Sequence, residues 1–121
     1  MGDRANFGFR DHKGDTVYLY GHWAGHNMLA NLASAVVAAE SRWQDESYAT
    51  RICISQLINE DWGQTTGWGI TINELADNEH KIPVIDWSNR SFTLYEEDLK
   101  TVVFSMDIGQ FAEKYSQLVM V

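Results

Sequence analysis

One stretch of the sequence decides how the chain is organised: Val17-Tyr18-Leu19-Tyr20-Gly21-His22-Trp23-Ala24-Gly25-His26. Its first four residues are bulky and apolar or aromatic, which is typical of a strand. Two glycines then interrupt this pattern, and from Asn27 onward apolar residues recur at helical spacing. The stretch therefore predicts a junction between a strand and a helix, which holds two histidines and a tryptophan within reach of solvent.

The rest of the chain alternates between strand and helix patterns around this junction. Asn27 is expected to cap the first helix, Trp43 to pin the first two helices together, and Pro83 to lie at a strand start or in an edge strand. The expected elements are strands at 4–10 and 16–20, a helix at about 27–42, and a second helix that starts after Asp45 or Ser47 and runs to about Asn59. Strands at 67–72, 81–87, 91–95 and 101–104 follow, and a final helix, capped by Ser105 or Asp107, runs to about 117.

This order, β-β-α-α-β-β-β-(β)-α, predicts an α+β fold. Helices inserted between antiparallel hairpins favour one mainly antiparallel sheet with the helices packed on one face. The length of 121 residues fits a single domain that spans residues 1–121.

The charge balance narrows the classes of function. The chain has 17 acidic and 9 basic residues, a net charge of −8, which disfavours direct binding to nucleic-acid phosphates. The acidic residues stand in short scattered groups such as Asp45-Glu46 and Glu96-Glu97-Asp98. That pattern is more typical of a soluble surface than of a protein that imitates DNA. An acidic DNA mimic or protein-interaction inhibitor is kept as a further alternative.

The cysteine content and the N-terminus predict a cytoplasmic protein. Cys53 has no partner for an internal disulfide, and the isoleucines on either side of it predict a buried, unreactive thiol. The first residues lack the apolar segment of a signal peptide, and no apolar run reaches the ~20 residues of a membrane span. We expect no cofactor and no membrane contact, and the oligomeric state, with a homodimer among the options, is left open.

Two histidines four residues apart raise the question of a metal. In zinc motifs with this spacing both histidines lie on one helix. Here His22 is expected at the strand end and His26 at the helix start. A zinc site also needs a third ligand, for which His80 or a carboxylate is the candidate, and no cysteine pair supports one. We therefore predict no metal site.

Catalysis is the alternative to simple binding. His22 or His26 as a base would need an acidic partner, and Asp77, Glu79 and Asp86 are the candidates. The sequence has no nucleophile motif, and none of its four histidines is followed two residues later by Ser or Thr. An enzyme is therefore less favoured than a binding protein, although a small His-dependent hydrolase, with or without a metal, stays open.

Ligand binding requires less of the sequence. Trp23 can stack on a ring, and His22 and His26 can form hydrogen bonds. The N-terminus of the first helix can bind an anion, and the guanidinium group of Arg4 or Arg51 can bind the same anion through two hydrogen bonds. The opposite interpretation is that Trp23 lies in the core, His22 binds a backbone carbonyl and the glycines only permit the turn.

Five pieces of the sequence together resemble a family of small uncharacterised proteins found in actinobacteriophages and in scattered bacteria. The resemblance covers about residues 2–87. At Gly21 and His80 the chain departs from the family pattern, which weakens His80 as a third ligand. The pieces are Gly2-Asp3-Arg4-Ala5-Asn6, Tyr18-Leu19-Tyr20-Gly21-His22-Trp23, Arg42-Trp43 with Tyr48-Ala49-Thr50-Arg51-Ile52, Thr66-Gly67-Trp68-Gly69-Ile70, and Asp77-Asn78-Glu79 followed by Pro83 and Asp86.

This resemblance implies a phage or prophage accessory protein that acts in the host cytoplasm, where small phage proteins often counter host defence. Several motif positions carry polar or aromatic types that core packing does not require. We therefore predict a non-catalytic protein that binds a small anionic or nucleotide-like ligand or a host protein. The predicted ligand-binding residues are Arg4, His22, Trp23, His26, Arg51, Asn78 and Glu79.

Overall fold

The structure, a computed structural model, describes residues 2–116 and confirms the predicted order of elements. Two short 3-10 helices, Glu40–Arg42 and Asn59–Gly63, follow the first two α-helices. The strands and α-helices are β1 (Ala5–Arg10), β2 (Thr16–Gly21), α1 (Met28–Ala38), α2 (Glu46–Ile58), β3 (Trp68–Ile72), β4 (Ile82–Asp86), β5 (Ser91–Tyr95), β6 (Val102–Asp107) and α3 (Ile108–Ser116).

The strands form one sheet in the order β3-β2-β1-β4-β5-β6. β1 and β4 pair in parallel, and the other neighbours pair antiparallel, as expected for a mainly antiparallel sheet. β4 is therefore an interior strand. Its Pro83 is tolerated there because it precedes Val84, the first residue of β4 that pairs with β1.

Successive side chains of each strand point to opposite faces of the sheet, and the main core lies on the face that packs against the three helices. Residues such as Phe7, Phe9 and Phe92 are buried on the helix side together with Leu32 of α1 and Phe111 of α3. Each such side chain contributes roughly 1.5–3 kcal/mol when it leaves water. A smaller cluster lies on the opposite face of the sheet, where loop residues rather than helices cover it. The helices thus pack on one face, as predicted.

Side-chain contacts at the helix ends confirm most of the local expectations. Trp43 donates its indole N–H to the Val36 carbonyl at 2.9 Å and so ties the segment between α1 and α2 to α1. Asp107, rather than Ser105, caps α3, since its carboxylate accepts the Gly109 N–H at 2.9 Å. The end of α3 predicted near residue 117 lies outside the described residues.

The first helix differs from expectation at both ends. The side chain of Asn27 does not cap α1, because the residue has the left-handed backbone (φ 56°) that Asn tolerates and forms no capping hydrogen bond. The α-helix ends at Ala38, and the chain continues as a 3-10 turn over Glu40–Arg42.

The burial predicted for Cys53 is confirmed. Cys53 lies inside the main core, and burial raises the pKa of its thiol from 9.0 to about 12. Burial therefore disfavours the thiolate, which is the reactive form of cysteine. No helix in residues 2–116 is long and apolar enough to cross a membrane.

Candidate functional site

Three segments meet where β2 ends: the N-terminal residues 2–4, the junction 21–26 and the loop 77–80. Backbone hydrogen bonds join them. The Asp3 N–H donates to the His22 carbonyl at 2.7 Å, the Gly25 N–H to the Asp3 carbonyl at 2.9 Å, and the Glu79 N–H to the Arg4 carbonyl at 2.9 Å. The N-terminal segment therefore lies between the junction and the loop and holds both in place.

Close approach explains the two glycines of the junction. A Cβ atom on Gly25 would overlap the side chains of Asp3 and His80, which themselves form a contact of 2.5 Å between Oδ1 and Nε2. A Cβ atom on Gly21 would overlap Ala24 and the ring of Trp68. The glycines thus permit packing between segments, a role that any larger residue would prevent.

The structure brings together three of the predicted ligand-binding residues: Arg4, Asn78 and Glu79. Their polar groups contact the N-terminal segment and the loop 77–80 rather than a free surface. The Arg4 guanidinium lies 3.2 Å from Asp77 Oδ2, and its Nε lies 3.3 Å from Glu79 Oε1 at an angle that makes an ion pair without an aligned hydrogen bond. The backbone N–H of Arg4 also donates to Glu79 Oε1 at 2.9 Å. The charged groups of this network are therefore engaged within the chain.

Asn6 anchors the same network from inside the sheet. Its side chain is fully buried on the face away from the helices, and its amide N–H₂ donates to the Asp77 carbonyl and to Asn78 Oδ1, both at 3.1 Å. A buried amide with such partners orders the loop that it contacts. We call Asn6, Arg4, Asp77, Asn78 and Glu79 the anchor network.

His22 and Trp23 occupy different environments at the junction. His22 is half-buried, and its Nδ1 shares a hydrogen bond of 2.9 Å with the Tyr20 hydroxyl, so the expectation of a backbone carbonyl partner is wrong. The Trp23 ring stands edge-on to His22 with centroids 4.6 Å apart, and its side chain is 64% exposed. The interpretation of Trp23 as a core residue is therefore also wrong.

A cleft of about 310 Å³ opens beside Trp23, between α1, the end of α2 and the start of β3. Its apolar surface comes from Phe7, Ala24, Ala35 and Leu57 together with the rings of Trp23 and Trp68, and its polar groups come from His26, Asn31, Ser34, Gln56 and Asn59. We call this feature the tryptophan cleft.

The tryptophan cleft differs from the anchor network in its charge. Among the described residues that line it there is no Lys, Arg, Asp or Glu, and His26 is the one titratable residue. Asn31 and Ser34 stand one turn apart on α1. Gln56 lies in the last turn of α2, and Asn59 follows that helix with a positive φ of 56°. All four side chains are exposed to solvent, so their amide and hydroxyl groups are accessible to a ligand.

The catalytic and metal arrangements considered from the sequence are not assembled. Asp77 and Glu79 face Arg4, and Asp86 accepts hydrogen bonds from Ser88 and Asn89 in its own turn. Arg51 is exposed on α2, where it bonds Ser55 one turn along and lines no part of the tryptophan cleft. Within residues 2–116, no group of three or more His, Cys, Asp or Glu side chains could hold a metal ion.

The sequence interpretation missed the polar residues of the cleft. Asn31, Ser34, Gln56 and Asn59 resemble ordinary solvent-facing positions of helices, and their common surface exists only once α1 packs against α2. The spacing of three between Asn31 and Ser34, beside the small Ala35, is the one local signal that could have suggested a cleft wall.

Comparison with known proteins adds no further assignment. No family model matches the chain. No curated protein and no solved structure matches it significantly.

Proposed function

We propose that the protein is a non-catalytic binding protein whose ligand site is the tryptophan cleft, and that the ligand carries an uncharged planar ring of the nucleoside type. One observation supports this proposal above the others. Two indole rings and a set of uncharged hydrogen-bonding side chains converge on a concave surface that contains no fixed charge.

The two tryptophans supply the surface for a ring. Trp68 is held by a hydrogen bond from its indole N–H to Asp61 Oδ2 at 3.2 Å, so its orientation is set before a ligand arrives. Trp23 is 64% exposed, so its ring is accessible to a ligand. Stacking of a base on an aromatic side chain contributes about 1–3 kcal/mol. The volume of about 310 Å³ is at the lower end of the ~300–1,000 Å³ range of ligand pockets, which favours a small ligand.

The polar lining favours the ring over a phosphate. Asn and Gln amides and the Ser hydroxyl both donate and accept hydrogen bonds, as a nucleobase edge does. A phosphate would call for Arg or Lys, which bind it through charge-assisted hydrogen bonds. Arg4 is engaged with Asp77 and Glu79, and Arg51 does not reach the cleft. We therefore propose that, in a nucleotide-like ligand, the cleft binds the base and sugar and not the phosphate.

The absence of an acid–base pair in the lining supports binding without turnover. A general base works with a group that orients it and a reacting atom within hydrogen-bond reach. His26 lines the cleft without a carboxylate beside it in that lining. For the protein to act as a hydrolase, a ligand or partner would have to supply the acidic group that the His26 base lacks.

The biological setting of the proposal rests on the sequence resemblance. We propose a phage or prophage accessory protein that acts in the host cytoplasm and binds a nucleoside or nucleotide signal, in keeping with a counter-defence role. This setting is an inference by analogy. The binding proposal itself stands on the cleft and can be tested without it.

The test is calorimetric titration of the full chain with adenosine, guanosine, cytidine and uridine, each beside its 5′-monophosphate. We expect at least one nucleoside to bind, with its monophosphate no tighter. Trp23→Ala should weaken that binding by about 5- to 150-fold, the range that corresponds to one lost stacking contact. Trp62→Ala is the matched control, since Trp62 is 55% exposed and lies outside the cleft lining.

If only the monophosphates bind, the site recognises the phosphate group, and the proposal of a site for an uncharged ring is wrong. No binding by any of the compounds, or equal loss in Trp23→Ala and Trp62→Ala, would overturn the proposal.

A further inference from the structure

The outer edge of β3 is unpaired in the part of the chain that the structure describes. β3 stands last in the strand order and pairs with β2 on its inner side. The chain reaches β3 from the 3-10 helix Asn59–Gly63 and leaves it across the face opposite the helices, where Leu75 packs against the cluster that contains Tyr18. Neither connection covers the edge by strand pairing.

The hydrogen bonds to β2 determine which backbone groups of β3 point outward. Just beyond the two ends of the strand, the Gly67 carbonyl and the Asn73 N–H form backbone bonds of 2.8 Å to the β2 side. Antiparallel pairs alternate between bonded and non-bonded positions. The odd-numbered residues therefore bond β2, and the free N–H and C=O groups belong to Trp68, Ile70 and Ile72.

The side chains of the same residues make this edge apolar. Ile70 is 54% exposed and Ile72 is 67% exposed. Residues 62–73 contain no charged residue, although the chain as a whole carries a net charge of −8. Proteins that keep an edge strand single protect it with charges, proline or a bulge. The register of β3 with β2 is regular over all five pairs, and the strand has none of these features.

We propose that the β3 edge pairs with the β3 edge of a second copy of this chain. The outward backbone groups lie symmetrically about Ile70, so a two-fold axis at Ile70 places Ile70 opposite Ile70 and Trp68 opposite Ile72. Every outward N–H of one copy then meets an outward carbonyl of the other. A strand whose bonding pattern is its own complement fits an isologous dimer.

The distribution of charge favours this edge over the rest of the surface as the place where two copies meet. Two molecules of net charge −8 repel each other, and they meet at least cost where both surfaces are uncharged. The uncharged segment 62–73 provides such a surface on each copy. The exposed isoleucines of the two copies then cover one another on the helix side of a sheet that continues through both molecules.

The strand at the other edge of the sheet provides a contrast. β6 has a register shift against β5 between Leu94 and Tyr95, and its last residue is Asp107. A bulge and an acidic residue are the features that prevent edge pairing. Val103 on β6 is 41% exposed, which makes it a matched site for control substitutions.

The experiment measures the mass of the full chain in solution by sedimentation velocity over a range of concentrations. We expect a dimer whose fraction rises with concentration. Ile70→Lys should give a monomer, because the two like charges would meet at the axis, and Val103→Lys should remain dimeric. Ile70→Pro should also give a monomer, because it removes an outward N–H while it leaves the bonds to β2 intact.

A cross-link tests the register itself. Paired residues in a bonded antiparallel position have Cα atoms roughly 5.5 Å apart, a separation that a short bis-maleimide cross-linker spans without strain. Ile70→Cys should therefore be linked to a second copy by this reagent, and Val103→Cys should not. Cys53 does not compete, since it is buried in the core.

A wild-type chain that is monomeric at every concentration would overturn the proposal. So would a dimer that survives Ile70→Lys and Ile70→Pro in folded form, since another surface would then hold it. If both variants fail to fold, the Ile70→Cys cross-link decides, and its absence in a folded protein contradicts the pairing. Nucleoside titration is a separate measurement, so failure of the dimer leaves the tryptophan cleft unaffected.

Discussion

The anchor network and the tryptophan cleft lie on either side of the same strand-to-helix junction, and they use polar groups in opposite ways. In the anchor network the charged groups pair within the chain, and the Asn6 amide N–H₂ holds the loop from inside the sheet. In the cleft, uncharged polar groups face solvent between two indole rings. The charged groups near the junction therefore make contacts within the chain, and the proposed ligand site rests instead on exposed aromatic rings with accessible amides.

The largest expected effect comes from the interior of the anchor network. Asn6→Ala leaves the acceptors of the loop without their buried donor, and we expect it to lower the free energy of unfolding by about 1–3 kcal/mol. Urea unfolding followed by circular dichroism measures this change.

Asn31→Ala is the matched control for that prediction. Asn31 is an exposed asparagine of the cleft, so its removal should leave the unfolding free energy within about 0.5 kcal/mol of the wild type. It should instead weaken nucleoside binding, which Asn6→Ala should leave unchanged below its unfolding temperature. The reverse pattern would show that the roles of the two regions have been exchanged.

A smaller effect is expected from the charged part of the anchor network. Arg4→Met removes two partly exposed ion pairs, and pairs of this kind contribute at most about 1 kcal/mol each. We expect a modest fall in thermal stability and no change in nucleoside affinity, with Arg51→Met changing neither. Loss of affinity in Arg4→Met would return Arg4 to the ligand site.

The smallest expected effect is the acid response of a carboxylate outside both regions. Hydrogen bonds from the Thr101 backbone, the Thr101 hydroxyl and the Lys100 backbone lower the pKa of Asp98 from 3.8 to about 2. The stabilisation is therefore present above pH 3.8 and is lost as the pH falls through 2. Unfolding free energies measured between pH 2 and 5 should fall less steeply with acid in Asp98→Asn than in the wild type.

Thr101→Val checks this interpretation, because it keeps the carboxylate and removes one hydrogen bond. The slope of its unfolding free energy against pH should lie between the slopes of the wild type and of Asp98→Asn. A slope equal to that of the wild type would mean that the hydroxyl contributes nothing. No change in cleft binding is expected in either variant at neutral pH.

The sequence predicted the fold where local patterns decide it. The β1–β2 hairpin follows from bulky strand residues around a turn, and α1 follows from apolar residues at helical spacing. The parallel pairing of β1 with β4 was not predicted, because it joins residues more than seventy positions apart and no local pattern encodes it. The side-chain cap on α1 failed because the backbone of Asn27 is left-handed.

The placement of the candidate site residues was predicted in part for the same reason. Trp23 and His26 do line a cleft, and Arg4, Asn78 and Glu79 do converge. The sequence could not show that Arg4, Asn78 and Glu79 make their contacts within the chain, because their partners lie on distant segments. Nor could it show that polar residues of α1 and α2 share one surface, which depends on how the two helices pack.

The central claim, that the tryptophan cleft is the ligand site, is tested most directly by the indole N–H signals in a ¹H–¹⁵N spectrum during titration with a nucleoside. The account predicts shifts for Trp23 and Trp68, which line the cleft, and none for Trp43, Trp62 and Trp87, which do not. Shifts confined to the backbone signals of Arg4, Asn78 and Glu79, or no shift with any of the four nucleosides, would contradict it.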